Sequence, residues 1–212
     1  MQGSMFRFLT RHSGALRLHD NERVLRLPRY SDFTEWRTLR RESRAFLQPW
    51  EPSWHADDLT ERSFRARVNR YEQEHSAGTA ISFFILNRDD RLMGGITIGN
   101  IRRGAAQSCM VGYWMGERYA GRGHMKAALR LTVSYIFDRL QLHRIEAACI
   151  PENERSIGLL ESSGFRREGY LREYLKIDGQ WRDHLLLSRL ASDALGKEVL
   201  DDHGLYRATH SV

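Results

Sequence analysis

Few of the residues that build covalent or metal frameworks occur in this chain of 212 residues. Its two cysteines, Cys109 and Cys149, are too few for a disulfide scaffold. Both lie in apolar, strand-like segments and read as small buried hydrophobes of a reducing compartment. No His/Cys group has metal-ligand spacing, so no metal is expected. No apolar run reaches the roughly 18 residues that a membrane-spanning helix needs. The first residues hold neither a long apolar core nor a clear cleavage site, which argues against secretion and for a cytoplasmic protein. The Walker-type string G-x-x-x-x-G-K-[ST] does not occur. Internal repeats and low-complexity linkers are also missing, which leaves a single domain.

What is present is an ordinary globular composition, 41% hydrophobic and 28% charged. Gln2-Gly3-Ser4 ahead of a second methionine, Met5, reads as an appended leader, residues 1–4. Residues 5–190 are expected to form the domain, and 191–212, polar and weakly periodic, a tail. A net charge of +6 favours an acidic or phosphate-rich partner. The basic clusters Arg37-Arg40-Arg41-Arg44 and Arg62-Arg65-Arg67-Arg70 read as solvated helix faces, with contact to nucleic acid as the alternative. Nothing fits a known base-reading module.

Periodicity predicts a hairpin over 15–27 around Asp20-Asn21. A helix capped by Ser31-Asp32 then runs to about Arg44, and a second runs from Asp57-Asp58 to about His75. Between them Pro49 and Pro52 prevent a regular helix, and Trp50 and Trp54 are costly to leave exposed. Three strands follow, at 80–86, 91–101 and 107–115, with Gly94-Gly95 marking a bulge or a close backbone approach. A helix over 123–140, a strand over 144–150 and a helix from Asn153 to its stop at Gly164 come next. A long hairpin then turns at Asp178-Gly179. The order is that of a single α+β domain with a mixed sheet.

The most telling stretch runs from Tyr113 to Lys126: an apolar strand, a loop holding Gly121 and Gly123, and a helix start. Glycines let backbone N–H groups approach a ligand, and the first-turn N–H groups of a helix have no partner within it. This is an anion site, suited to phosphate. A G-x-G-x-x-G dinucleotide fingerprint fits only loosely, because Ala127 and Ala128 follow Lys126.

With Asn153-Glu154-Arg155-Ser156 and Gly164-Phe165 downstream, this arrangement resembles the GNAT family of acetyl-coenzyme A-dependent N-acetyltransferases over nearly all of residues 16–190. The family motif [QR]-x-x-G-x-[GA], aligned by its second glycine, falls on Ala120-Gly121-Arg122-Gly123-His124-Met125, and departs from it at Ala120 and Met125. Within the family the chain is similar to the bacterial ribosomal-protein-alanine N-acetyltransferases. The likeness lies in Phe46-Leu47-Gln48-Pro49-Trp50-Glu51-Pro52, in Glu168-Gly169-Tyr170, and in the residues from Ile177 to His184. Met125 also suits that subgroup.

The resemblance implies a mostly antiparallel central sheet flanked by helices, with acetyl-CoA as cosubstrate. It gives the backbone of Trp114 and Met115 to the pantetheine arm, and Arg122, Gly123, His124, Met125 and Lys126 to the pyrophosphate. Asn153 would bond the pantetheine and Ser156 would lie near the sulfur, although a helix N-cap explains Asn153 equally well. Many members carry a tyrosine as the acid where this chain has Leu160, which leaves Ser156, Tyr174 or water for that role. Base candidates are Glu173, Glu51 and His184. Trp50, Trp54 and Trp181 are expected to wall the acceptor. The implied acceptor is a protein N-terminus, of a ribosomal protein, with ribosome or RNA contact through the basic surface. A small amine or aminoglycoside acceptor, and a non-catalytic adaptor, remain as alternatives; the oligomeric state is left open.

Overall fold

The computed structural model describes residues 16–193, together with the backbone of Val199–Leu200 and Tyr206–Arg207, which pair as two short antiparallel strands. The expected leader, Ala15 and the rest of the tail lie outside the described residues.

Strands β1 (Arg17–His19) and β2 (Arg23–Arg26) form the expected hairpin, closed by Asp20, whose Oδ1 accepts the N–H groups of Glu22 and Arg23 at 2.8 Å each. Helix α1 (Phe33–Glu42) follows, but the side chain of Asp32 does not cap it. That carboxylate is taken by the Arg26 guanidinium, at 2.7 and 2.8 Å, and by the Arg29 N–H. A bidentate arginine outcompetes a helix N–H for the same oxygens. A short α2 (Arg44–Leu47) ends in a tight turn through Pro49. Helix α3 (Glu61–Ala77) starts later than Asp57-Asp58 suggested: Thr60 Oγ1 accepts the Ser63 N–H, while Asp58 closes a turn on the His55 N–H.

The remaining elements are β3 (Ile81–Asn87), β4 (Leu92–Arg102), β5 (Ser108–Met115), α4 (His124–Ser134), β6 (Arg144–Cys149), α5 (Glu154–Glu161), β7 (Arg166–Ile177) and β8 (Gln180–Leu190). Helix α4 runs on into a wider π turn over Tyr135–Arg139. The eight strands make one sheet in the order β1-β2-β3-β4-β5-β6-β8-β7, antiparallel throughout except between β5 and β6. This is the single-domain, mixed and mostly antiparallel sheet that the resemblance implied.

Alternation along the strands sends side chains to two cores. Phe83, Ile85 and Ile96 pack with Ala128, Leu129 and Val133 of α4 and with Leu160 of α5. Phe84 and Leu86 face Trp36 and Leu39 of α1 and Phe64 and Val68 of α3. Burial of a side chain such as Phe64 or Phe83 contributes about 1.5–3 kcal/mol.

One discontinuity positions the site. β5 pairs with β6 only where Ser108 to Met110 face Arg144 to Glu146. Past that point β5 stays on β4 as far as Met115, and β6 stays on β8 as far as Cys149. The two strands therefore part, and the sheet opens at its centre. Ionic contacts hold the closed end: Arg144 donates to Glu146 at 2.8 Å and to Glu168 at 3.1 Å, and Arg102 donates to Glu146 at 3.1 Å.

Candidate active site

The parted strands line a cleft of about 1260 Å³ that passes from one face of the sheet to the other. Residues from Gly112 to Met115 form one wall and residues from Ala147 to Ile150 the other. At one end stand the loop and first turn of α4; at the other stand Ala45 to Leu47, Pro49 to Glu51 and His184.

At the α4 end, Gly121 and Gly123 have φ of 72° and 78°, the left-handed region in which glycine is free of Cβ strain. Nothing lies within 4 Å of a Cβ added at either position, so protein crowding is not what selects glycine there. No side chain caps α4, and the first helical bond is Ala127 N–H to Gly123 C=O. The N–H groups of His124, Met125 and Lys126 thus lack intrahelical acceptors, and the helix dipole adds about half a positive charge. His124, Met125 and Lys126 line the cleft, whereas the exposed Arg122 does not. Arg23 Nε donates to His124 Nδ1 at 3.2 Å. Burial, and then the Arg23 charge, hold the His124 imidazole below its ordinary pKa.

In the middle, Gly94 and Gly95 pair with Met115 and Trp114. A Cβ on Gly94 would stand 2.4 Å from the Trp114 carbonyl oxygen, and one on Gly95 would stand 2.6 Å from the Trp114 indole nitrogen. The glycine pair is a close backbone approach, and it fixes the residues expected to meet the pantetheine. Asn153 caps α5 by accepting the Ser156 N–H at 3.1 Å. Ser156 Oγ sits 2.8 Å from Tyr113 Oη and 3.2 Å from Cys149 Sγ, all three lining the cleft. Leu160 is fully buried in the core.

The end of the cleft opposite α4 is built by a loop and a hairpin tip. Asp178 and Gly179 both have positive φ, 43° and 81°, as a tight hairpin turn requires. That tip is tied to the proline loop: Asp178 N–H donates to Glu51 C=O at 2.9 Å, and Gln48 Nε2 donates to Asp178 Oδ1 at 3.0 Å. Glu51 lines the cleft, but its carboxylate accepts from both guanidinium nitrogens of Arg40 and from Trp54 Nε1. Arg40 lies over the rings of Trp54 and Trp114, with its guanidinium carbon 4.3 and 4.9 Å from their centroids. Arg40 was grouped with a solvated face in the sequence, yet its side chain is only 13% exposed.

Of the three tryptophans expected to wall the acceptor, Trp50 alone lines the cleft. Trp54 buttresses Arg40, and Trp181, on the outer hairpin, is 61% exposed. Glu173 is exposed and outside the cleft lining, at a break in the β7–β8 register, its N–H held by Asp183. His184 is 3% exposed and lines the cleft, its Nδ1 3.0 Å from the Arg182 carbonyl and its ring edge-on to Tyr174. A carbonyl only accepts, so Nδ1 carries a proton in this contact, and in the neutral ring the lone pair is on Nε2.

Tyr113 and Arg40 escaped the sequence reading. Tyr113 belongs to the apolar strand that leads into the glycine loop, and the available signal was its position two residues before Met115 on the alternating strand.

Comparison with known proteins bears on what such a cleft holds. Residues 23–166 match the family model described as Acetyltransferase (GNAT) domain. The chain is 35% identical over 179 residues to the [ribosomal protein uS5]-alanine N-acetyltransferase of Escherichia coli (strain K12), covering 84% of this chain and 92% of that relative. Among solved structures it is similar to the ribosomal-protein-S5-alanine acetyltransferase of Vibrio fischeri, with TM-score 0.78, 31% identity and coverage of 84% and 98%. It is also similar to Mycobacterium smegmatis RimJ in complex with CoA-disulfide, with TM-score 0.76, 37% identity and coverage of 80% and 82%.

Proposed function

This chain belongs to the GNAT family of acetyltransferases and uses acetyl-CoA as cosubstrate; on that footing we propose that its acceptor is the N-terminal α-amine of a protein, a ribosomal protein in particular. The observation that carries the reading is the cleft through the sheet, with a phosphate-binding turn at one end and an aromatic-rimmed peptide loop at the other. Two relatives that share 84% of this chain are named for an alanine of ribosomal protein S5. Donor and acceptor then meet in the sheet from opposite ends, which suits direct attack within a ternary complex.

Each group has a task that follows from its place. The α4 N–H groups of residues 124–126 hold the pyrophosphate, with Lys126 adding charge. The parted edge at Trp114 and Met115 offers backbone groups to the pantetheine amides, and Asn153, just past the facing wall of β6, lines the same cleft. The Met115 N–H stabilises the oxyanion as the carbonyl becomes tetrahedral. An α-amine titrates near pH 7.7–8 against about 10.4 for lysine, so near neutrality part of it is already the free base, and a base is needed for the proton it sheds on attack. His184 Nε2 is the acceptor for that proton, because of the three candidates it alone lines the cleft without being held in an ion pair. Glu51 keeps Arg40 and the proline loop in place.

The test incubates the protein with acetyl-CoA and a panel of N-terminal alanine peptides, N-blocked lysine peptides, polyamines and aminoglycosides, and follows thiol release. Turnover of the free-N-terminus peptides is expected. Turnover of polyamines or aminoglycosides alone would overturn the reading. No turnover at all, with ribosome binding that survives Asn153→Ala, would favour the adaptor.

A further inference from the structure

Ser156 is the end of a hydrogen-bonded cluster that spans the opening in the sheet. Tyr113 comes from β5, Cys149 from the end of β6, and Ser156 from the first turn of α5. Tyr113 Oη lies 2.8 Å from Ser156 Oγ, and Cys149 Sγ lies 3.2 Å from the same oxygen. The cluster therefore ties together the two strand edges that have parted, at the level of the cleft where the coenzyme sulfur is placed in the reading above.

We propose that Tyr113 and Cys149 are positioning residues that direct the single O–H of Ser156 into the cleft, toward the sulfur of the coenzyme. The inference rests on the proposed placement of the coenzyme. A serine hydroxyl has one hydrogen to give and two lone pairs to fill. Burial raises the pKa of the phenol and of the thiol, so both stay protonated, and each can donate to Ser156 Oγ or accept from it; Tyr113 Oη also lies 3.5 Å from the Ser156 carbonyl oxygen. In the proposed arrangement both donate to Oγ, and two donors on its two lone pairs leave the Ser156 hydrogen without a use inside the cluster. Its remaining direction is the cleft, which all three residues line.

The consequence for the reaction is a hydrogen bond and no additional proton transfer. The amine nitrogen bonds to the carbonyl carbon, and its surplus proton passes to the base. The C–S bond then breaks, with its electron pair going to sulfur. The Ser156 O–H bonds that sulfur as its charge develops, while Tyr113 and Cys149 remain neutral throughout. The tyrosine absent at Leu160, a core residue here, is thus replaced in effect by a serine that a tyrosine on another strand orients.

Two measurements test this. The first is ultraviolet titration, near 240 nm, of the thiol of CoA bound to wild type and to Tyr113→Phe, Ser156→Ala, Cys149→Ala and Cys149→Ser, with the ligand-free protein subtracted. A donor aimed at sulfur lowers that thiol's pKa; Tyr113→Phe, Ser156→Ala and Cys149→Ala are expected to raise it, and Cys149→Ser, which keeps a donor, to leave it near wild type. The readout needs no acceptor, so it stands even if the proposed acceptor is wrong. The second is a double-mutant cycle on kcat: Tyr113→Phe and Ser156→Ala should each lose about 3- to 10-fold, the worth of one hydrogen bond, with calorimetric CoA affinity within about twofold of wild type. The double variant should lose no more than Ser156→Ala alone. Unchanged thiol titration in Tyr113→Phe, or losses that multiply in the double variant, would overturn the proposal.

Discussion

Glycine 94 is the residue on which the coenzyme wall depends most directly. Its missing side chain lets the Trp114 carbonyl approach to where a Cβ would stand 2.4 Å away, and the neighbour is backbone, which cannot swing aside. Gly94→Ala is expected to lower stability by about 1–3 kcal/mol and to raise KM for acetyl-CoA more than KM for the acceptor, checked by thermal unfolding and steady-state kinetics. His124 carries a pH prediction. Its folded-state pKa is depressed, so the neutral ring's contribution to stability is complete above its ordinary value of about 6.5 and is lost as pH falls through the folded value. Bound phosphates favour the imidazolium, so coenzyme binding takes up a proton there. Calorimetric CoA affinity should rise as pH drops below about 6.5, and His124→Gln should flatten part of that rise. At the base, His184→Gln should lower kcat by about 100-fold or more, whereas Glu51→Gln should act mainly on stability and acceptor KM. These side chains were unequally legible in the sequence. The loop glycines act through their own backbone and Asn153 caps its own helix three residues on, so local pattern exposes them. The pairing of Tyr113 with Ser156, 43 positions away, and the seat of Arg40 between two tryptophans have no local signature.

Between elements, the cleft is shaped by what the strands do on their outer sides. β5 and β6 part because each keeps its other partner, and the arginine–glutamate contacts around Arg144 stop the parting from spreading to the closed end. The hairpin of β7 and β8 matters at its tip, where Asp178 is bonded to the loop at Gln48 and Glu51. Gln48→Ala removes one of these links. It should cost about 0.5–1 kcal/mol in stability and raise the acceptor's KM several-fold, leaving KM for acetyl-CoA unchanged, as steady-state kinetics on the alanine peptide would show. Most element boundaries follow from the sequence: the Asp178-Gly179 turn and the Gly164 stop are set by residues that tolerate positive φ. The starts of α1 and α3 do not, because acidic residues that look like caps can find stronger partners. Asp32 bonds a distant guanidinium and Asp58 closes a turn. The π turn that ends α4 has no composition of its own to announce it.

For the molecule as a whole, two cores on opposite faces of one sheet carry the stability, and the sheet's central opening carries the chemistry. In the proposed reading the opening joins a phosphate turn to a peptide loop, and two reactants enter it from opposite directions. Family membership and the cosubstrate follow from that arrangement and from the relatives; the choice of acceptor is what remains to be measured. The central claim is that the acetyl group goes to a protein's α-amine. The direct measurement is fragment-ion mass spectrometry of an alanine-starting peptide with an internal lysine, after incubation with acetyl-CoA at neutral pH. An addition of about 42 daltons, the net gain when acetyl replaces one amine hydrogen, confined to the N-terminal fragments is the predicted result, since the α-amine is the less protonated of the two. Addition at the lysine alone, with a free N-terminus, would contradict it.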